Sequence, residues 1–507
     1  MQFLSSDLLE GRGVGVRGGE LTAEYLAAAF AATGAKPAGD TVDGRRTFFQ
    51  RVPLVGVTTI AAEAEFEGLR FAEDWVGTTQ RQRALEEIEA DTVFLGHGIQ
   101  APEFKWDDYA RIDVRGKIVV LFTNEPPSQD PRFFGGKALT YYGRWVYKFE
   151  EAARHGALAC LIIHTDGSAG YGWEVVRNSW GKEDPQVPAR PGENALAFAG
   201  WLTAAAAEKL FARPMADLLA RADARTFQAF SLNKRLKLKI PARIRPIATR
   251  NVVAMVEGSD PLLKHQAVIY SAHWDHLGID PAITGDGIYN GAVDNAVGCG
   301  MIIEIARAWA ALPRKPRRSA LFLAVTAEES GMRGSQYYSQ NPAVPLRDTQ
   351  LNLNFDAVPP YGRPKDIVAI GADRTTAWPL LQEAAQRFGL AISPDPRPEQ
   401  GSYYRSDHFM FAKGGVPAFS LGLGMRYEGV NAEKAIAQRQ AYTKRYHQPS
   451  DEYSDDWDWS GIEAVSQLGF VLGINAANRQ GLLTWQPNDE FLRVRQRSLS
   501  AAGAGQP

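Results

Sequence analysis

The feature that most restricts the fold is an alternation of strand-like and helix-like segments between residues 248 and 480. Short apolar runs such as AVIYSAH, SALFLAVTAEE and LNLNFDAV have the composition of buried strands. Between these runs lie longer segments, among them DNAVGCGMIIEIARAWAAL and AWPLLQEAAQRFGL, which are typical of helices. Strands that alternate with amphipathic helices predict an α/β fold, with a largely parallel mixed sheet and helices on both faces.

The length of 507 residues predicts more than one domain, since a single core rarely grows beyond about 250–300 residues. Residues 60–245 differ from their surroundings, because the strand-like GKIVVLFT and GALACLIIHT alternate there with long Pro- and Gly-rich loops. We therefore expect one domain from residues 1–55 and 248–485, and a smaller α/β domain inserted at 60–245. The last residues, SLSAAGAGQP, are small and polar, and we expect a disordered tail at 490–507.

Composition excludes several classes of function. The net charge of −2 gives no general attraction to nucleic acid or to an anionic membrane. No run approaches the roughly 20 apolar residues needed to cross a bilayer. The two cysteines, Cys160 and Cys299, each lie in an apolar run and are interpreted as small buried hydrophobic residues. The opening residues MQFLSSDLLEGRG have no signal-peptide pattern, and we expect that a leader has been removed or that the start lies late.

Five potential metal ligands mark the edges of apolar segments in the larger domain. They are two imidazoles and three carboxylates: His273, Asp294, Glu329, Asp356 and His447. Such a set suits two divalent metals that share one bridging carboxylate. An adjacent carboxylate, that of Glu328, gives a pair in which one member can bind metal and the other can move protons. Together these residues indicate a hydrolase.

The positions of these residues along the chain predict that they meet. His273, the Glu328–Glu329 pair and Asp356 each end a strand-like segment, and the carboxyl ends of parallel strands line one crevice. Asp275, two residues after His273, can accept a hydrogen bond from that imidazole. Each residue alone also has a structural interpretation, such as a buried core histidine at 273 or a helix N-cap at 294. The hypothesis of a metal centre depends on the whole set.

The segments HWDH, GAVDNAVG, TAEESG, NFDAV and YHQPSDE resemble, in this order, the motifs of the M28 family of zinc metallopeptidases. The resemblance covers roughly residues 1–55 and 248–480. It implies an aminopeptidase that acts on peptides and binds two Zn²⁺, with Co²⁺ or Mn²⁺ as possible substitutes. It also implies a periplasmic or secreted location. The inserted region is similar to the protease-associated domain found in many such peptidases.

The resemblance assigns a role to each site residue. Asp294 is expected to bridge the metals, with Glu329 and His447 completing one site and with His273 and Asp356 completing the other. Glu328 is expected to be the general base, and Asp275 the partner of His273. Tyr403 falls at the tyrosine that stabilises the oxyanion, with Tyr404 as the alternative. Asp407 and His408 are expected to have structural or supporting roles.

Two alternatives remain open from the sequence. The same chemistry could act on the C-terminus, as in the glutamate carboxypeptidase relatives, and Arg405 and Arg426 are then the candidates for binding a substrate carboxylate. A non-catalytic binding protein on the same scaffold is the second alternative. Because such a protein is expected to have lost ligands or the base, the complete set here favours an enzyme.

Overall fold

The computed structural model describes residues 1–169, 172–190 and 192–503. The chain divides into two compact units. The first unit contains Met1–Pro53, Ala248–Pro396 and Arg405–Pro507, and the second contains Leu54–Ile247 and Arg397–Tyr404. The sequence assigned 397–404 to the larger domain, whereas the structure groups this segment with the insert.

The contacts of this short segment explain its grouping. The backbone N–H of Leu139 donates to the carbonyl of Pro398 at 3.0 Å. The ring of Tyr404 lies 5.9 Å from that of Tyr141. These contacts join positions more than 250 residues apart, and no local pattern in the sequence indicates them.

The first unit contains a mixed sheet whose central strands are parallel. Its strands, in spatial order, are Ala391–Ser393, Asp366–Ile370, Ala418–Leu423, Thr349–Asn354, Ala267–His273, Ser319–Val325 and the end of Phe230–Val256. The four strands from Ala418–Leu423 to Ser319–Val325 run parallel, and an antiparallel pairing flanks them on each side. Every residue of Ala267–His273 and Ser319–Val325 is buried, as expected for central parallel strands that are covered on both faces.

Helices accompany this sheet. The α-helices of the first unit are Arg17–Ala32, Val297–Ala311, Arg333–Gln340, Trp378–Arg387, His408–Lys413, Ala432–Arg445, Ser460–Asn478 and Leu492–Gly503. Apolar side chains from Val297–Ala311 and Ser460–Asn478 pack with those of the central strands in one hydrophobic cluster. The predicted α/β class, with a largely parallel mixed sheet and helices, is confirmed.

The second unit has a sheet of its own. Its strands, in spatial order, are the start of Phe230–Val256, then Leu85–Phe94, Ile118–Phe122, Ala159–His164, Phe198–Thr203 and Trp75–Thr78. The middle four are parallel, and a strand pairs antiparallel at each end. Its α-helices are Trp145–Arg154, Asp166–Ala169, Trp173–Trp180, Ala204–Phe211 and Met215–Ala222. This unit is therefore also α/β.

The C-terminal segment differs from the expectation of a disordered tail at 490–507. A helix spans Leu492–Gly503, and residues 504–507 lie outside the described part of the chain. The guanidinium of Arg495 is buried and donates to the carbonyls of Leu346 and Thr349 at 2.9 and 3.0 Å. The prediction was wrong for the helical part, because composition alone did not reveal a buried arginine that anchors it.

Two further findings concern the cysteines and the apolar character of the helices. Cys160 and Cys299 are both buried and not disulfide-bonded, in agreement with their interpretation as small hydrophobic residues. Within the part of the chain that the structure describes, none of the helices combines the length and the apolar character needed to cross a membrane.

Candidate metal centre

The carboxyl ends of three neighbouring strands bring the first candidate residues together. His273 is the last residue of Ala267–His273, and Asp356 follows Thr349–Asn354 by two residues. Glu328 and Glu329 follow Ser319–Val325 by three and four residues. The first strand pairs in parallel with both of the others, so all three chains leave the sheet at the same edge.

The backbone turns sharply at these positions. Ala327, Ala357 and His447 adopt left-handed conformations, with φ of 54°, 50° and 56°. Residues other than glycine rarely adopt this conformation, and such residues cluster at functional sites. The turns at Ala327 and Ala357 adjoin Glu328 and Asp356, so they help to set the direction of those side chains.

Asp294 lies where two halves of the site meet. It sits in the turn Ala292–Ala296, directly before the helix Val297–Ala311. Its Oδ1 lies 3.2 Å from Nε2 of His273, and its Oδ2 lies 3.1 Å from Nε2 of His447. The two oxygens of one carboxylate thus face two different imidazoles, which is the arrangement of a bridging ligand.

Each imidazole also faces a second carboxylate. Nε2 of His273 lies 3.2 Å from Oδ1 of Asp356, and Nε2 of His447 lies 3.1 Å from Oε2 of Glu329. Around a tetrahedral Zn²⁺ with ligand bonds of about 2.0–2.1 Å, neighbouring ligand atoms are about 3.3 Å apart. The distances of 3.1 and 3.2 Å are close to that spacing. The residues present therefore fit a pair of metal ions.

One further histidine lies at this site. Nδ1 of His276 is 2.7 Å from Oε1 of Glu329, so His276, Asp294 and Glu329 also form a group able to hold a metal. Nε2 of His447 is equally close to oxygens of both Asp294 and Glu329, at 3.1 Å from each. His276 is the second histidine of the HWDH segment, and the sequence alone indicated no role for it.

Asp275 makes contacts other than the predicted one. Its Oδ1 is 3.9 Å from Nδ1 of His273, too far for a hydrogen bond, and its backbone carbonyl lies closer to that nitrogen, at 3.1 Å. Its carboxylate instead accepts the backbone N–H of Glu328 at 3.0 Å and that of Glu329 at 3.3 Å. The Asp275 side chain therefore supports the turn that carries the two glutamates.

A second buried carboxylate supports the Asp294 turn in the same way. Asp451, from the YHQPSDE segment, accepts the backbone N–H of Asp294 at 3.0 Å and that of Val293 at 3.2 Å. On the other side, the guanidinium of the buried Arg12 donates to the carbonyl of Gly291 at 2.8 Å. The turn is thus held through its N–H groups by an anion and through a carbonyl group by a cation.

A chain of hydrogen bonds supports Asp356. The hydroxyl of Ser406 donates to Oδ2 of Asp356 at 2.6 Å and accepts from the amide of Asn354 at 2.8 Å. This leaves Oδ1 of Asp356 directed toward His273. Of the two residues expected to have supporting roles, His408 is buried, and Asp407 accepts a hydrogen bond from Ser335 at 2.5 Å.

The electrostatics of the site follow from its excess of carboxylates. Burial and the negative charge of Asp356 raise the pKa of Glu328 well above its usual range, although His273 opposes this. Burial opposes ionisation of Asp294, but hydrogen bonds from His273 and His447 outweigh it and hold its pKa well below its usual range. Burial likewise opposes protonation of His447, but Glu329 and Asp294 raise its pKa to about 10. Such a site attracts cations.

The other predicted residues lie in different surroundings. Tyr403 and Tyr404 are buried in the short helical turn Ser402–Tyr404, which belongs to the second unit, and their rings are 5.2 Å apart. Arg405 is exposed. The exposed Arg426 has its Nε 3.4 Å from Oδ2 of Asp366, so this candidate for binding a substrate carboxylate already has an anionic neighbour.

Comparison with known proteins shows which protein family part of this chain resembles. Residues 251–471 match the sequence model of peptidase family M28. Probable leucine aminopeptidase 2 of Aspergillus oryzae is 29% identical over 218 residues, which are 41% of this chain and 40% of that protein. Leupeptin-inactivating enzyme 1 of Streptomyces exfoliatus is 26% identical over 233 residues, which are 44% of this chain and 48% of that protein. The matched part thus spans less than half of either relative.

One solved structure is similar in fold over most of this chain. The aminopeptidase from Aneurinibacillus sp. strain AM-1 has a TM-score of 0.50, at 19% identity, and the match covers 96% of this chain and 94% of that chain. At this level of identity the likeness concerns the fold alone. It agrees with the α/β architecture and mixed sheet described above.

Proposed function

We propose that this chain, which carries a peptidase family M28 domain over residues 251–471, is a two-zinc aminopeptidase that removes the N-terminal residue from peptides. The observation that carries the proposal is the geometry of Asp294, whose two oxygens lie 3.2 and 3.1 Å from the imidazoles of His273 and His447. The names of the curated relatives, which include a probable leucine aminopeptidase, support the choice of an N-terminal apolar residue.

The residues divide between two metal ions. His273, Asp294 and Asp356 would hold one, and Asp294, Glu329 and His447 would hold the other. When bound, such metals lower the pKa of a water molecule and polarise a carbonyl group. Zn²⁺ suits two imidazoles and three carboxylates, and Co²⁺ or Mn²⁺ can take similar positions.

Glu328 has the properties required of a general base. Its carboxylate accepts a proton from the attacking water and then delivers that proton to the nitrogen of the leaving amine. Burial and the negative charge of Asp356 raise the pKa of Glu328, and a raised pKa makes a carboxylate a stronger base. Asp275 fixes the base indirectly, since its carboxylate accepts the backbone N–H of Glu328.

Tyr403 is assigned to the carbonyl oxygen of the substrate. Its phenolic O–H donates a hydrogen bond as that oxygen gains negative charge, and Tyr404 is the alternative.

The same proposal covers the insert at 60–245, interpreted as a protease-associated domain. Its support is the parallel pairing of Ile118–Phe122 with Ala159–His164, the two strands that carry the resemblance. A periplasmic or secreted location rests on the family resemblance.

The end of the substrate that is attacked can be tested directly. Zinc-loaded protein is incubated with the peptide Leu-Ala-Ala-Phe in free, N-acetylated and C-amidated forms, and the products are identified by mass spectrometry. We expect loss of the N-terminal leucine from the free and amidated peptides and no cleavage of the acetylated one. Loss of the C-terminal residue, blocked by amidation, would instead establish a carboxypeptidase and direct attention to Arg405.

A further inference from the structure

His276 is a buried imidazole that the five-ligand metal centre does not use. It lies three residues beyond the end of the strand Ala267–His273, and its side chain is fully buried. Its Nδ1 is 2.7 Å from Oε1 of Glu329, the shortest of the distances between an imidazole and a carboxylate at this site. A buried histidine in such close contact with a ligand has a defined effect on that ligand.

The two oxygens of Glu329 face two different histidines. Oε1 lies beside Nδ1 of His276, whereas Oε2 lies 3.1 Å from Nε2 of His447. Only Oε2 therefore belongs to the group of atoms formed with His447 and Asp294. If Oε1 is occupied by a hydrogen bond, Glu329 can offer a metal one oxygen rather than two.

The surroundings of His276 determine which of its nitrogens carries the proton. Its Nε2 is buried, and among the described residues it has no hydrogen-bond partner. A proton placed there would be a buried donor without an acceptor, which is unfavourable, whereas a proton on Nδ1 meets Oε1 of Glu329. Because Nδ1 then donates a hydrogen bond, it has no lone pair available for a metal.

The imidazole ring is also fixed in place by the backbone around it. Gly291 has φ of 55°, and a Cβ added there would come within 2.5 Å of Cδ2 of His276. The backbone N–H of His276 donates to the carbonyl of Arg12 at 3.2 Å. The ring therefore packs against a position where any side chain would collide with it.

We propose that His276 is a positioning residue, which donates from Nδ1 to Oε1 of Glu329 and thereby holds Glu329 as a one-oxygen ligand of the metal shared with His447. The inference rests on the metal centre of the proposed function, but not on the reaction or on the choice of substrate end. Partners that orient a metal ligand in this way typically change metal affinity by about 10- to 100-fold when they are removed.

Three substitutions separate positioning from direct ligation. An asparagine places its amide nitrogen near the position of Nδ1, a glutamine places it near Nε2, and an alanine removes both. We expect His276→Asn to retain the zinc affinity of both sites to within about threefold, whereas His276→Ala and His276→Gln weaken one of the two sites by about 10- to 100-fold. The affinities are measured by competition with a chromogenic chelator.

A matched control is available at His265. Its side chain is 58% exposed, so His265→Ala should leave both affinities unchanged. Absorption spectra of the Co²⁺-loaded proteins provide a second measurement, and we expect His276→Asn to retain the wild-type spectrum. Loss of affinity in His276→Asn equal to that in His276→Ala, with a changed Co²⁺ spectrum, would make His276 a ligand and overturn the proposal. Unchanged affinity in His276→Ala would overturn it as well.

A measurement on the unaltered protein does not depend on whether the variants fold. In zinc-loaded protein with ¹⁵N-labelled histidine, long-range ¹H–¹⁵N correlation spectra distinguish the two neutral tautomers of each imidazole. We expect a proton on Nδ1 of His276, and a proton on Nε2 would contradict the proposal. None of these experiments measures peptide hydrolysis. Weakened zinc binding in His276→Ala, together with an absence of aminopeptidase activity in the unaltered protein, would therefore reject the proposed function while supporting this inference.

Discussion

At the scale of single residues, adjacent carboxylates acquire different properties from their contacts. The two oxygens of Glu329 lie 2.7 Å from Nδ1 of His276 and 3.1 Å from Nε2 of His447, and these contacts support its proposed role as a ligand. Glu328 follows the same strand, but its pKa is raised by burial and by Asp356. The sequence predicted that one of the pair binds metal and the other moves protons, and the family resemblance supplied the order.

Replacing Glu328 tests this division of roles. Glu328→Gln keeps the size of the side chain and removes its ability to accept a proton, so we expect kcat to fall by about 10²- to 10⁴-fold. Both metals should remain bound, because Glu328 belongs to neither set of ligands. The measurements are kcat on an unblocked peptide and metal content by mass spectrometry.

The control for this variant is Glu304→Gln, on an exposed glutamate of the helix Val297–Ala311. Its kcat should equal that of the wild type. Turnover by Glu328→Gln at the wild-type rate would remove Glu328 from the mechanism. Loss of metal from the same variant would show that Glu328 is a ligand instead.

At the scale of the elements, the turns that carry ligands are held by carboxylates through backbone N–H groups. Asp275 binds the turn with Glu328 and Glu329, and Asp451 binds the turn with Val293 and Asp294. In each case one residue provides the proposed ligand, and the carboxylate of another residue holds the backbone that carries it. Catalytic and metal sites generally require such supporting contacts.

Replacing Asp451 tests whether this support matters for metal binding. Asp451→Asn keeps the shape of the side chain but leaves one oxygen to accept from two N–H groups, so the turn that carries Asp294 should loosen. We expect zinc affinity to fall by about 10- to 100-fold, and both sites should weaken, because Asp294 belongs to both. Chelator competition measures the effect. If Asp451→Asn binds zinc as tightly as the variant of the exposed neighbour, Asp456→Asn, the supporting role is wrong.

The sequence indicated the proposed ligands but not most of the residues that support them, for a physical reason. His273, Glu329 and Asp356 each follow an apolar strand, and the fold class alone predicts that parallel strand ends meet. Arg12, in contrast, contacts the turn of Asp294 from 282 positions away in the chain. Nothing in a local pattern indicates a contact of that range, so Arg12 and Ser406 could be assigned only from the structure.

At the scale of the whole molecule, all five proposed ligands belong to the first unit. They lie between His273 and His447, whereas the second unit contains Leu54–Ile247 and the segment Arg397–Tyr404. The sequence indicated an insert from its change of pattern near residues 60 and 245. The sequence placed the segment with Tyr403 in the larger domain. Its grouping with the insert depends on contacts with residues near Leu139, which no local pattern indicates.

This division predicts how metal removal changes stability. A metal that binds only the folded state stabilises it, by about 4 kcal/mol when the free metal is 1,000 times its Kd. Without metal, the carboxylates of Asp294, Glu328, Glu329 and Asp356 lie close together, and burial together with the charge of Asp356 raises the pKa of Glu328. We therefore expect chelation to destabilise the first unit far more than the second, and hydrogen exchange with mass spectrometry can measure each unit separately.

The two units provide internal references for that experiment. Amides of the central strand Ala267–His273 should exchange faster after chelation, since this strand ends at a proposed ligand. Amides of Ala159–His164, a buried central strand of the second unit, should exchange at an unchanged rate. Equal acceleration in both strands would mean that the units unfold together, and unchanged exchange in both would contradict the metal centre. Restoring the protection of Ala267–His273 with Zn²⁺, but not with Mg²⁺, would connect the effect to a site of imidazoles and carboxylates, because Mg²⁺ prefers oxygen ligands.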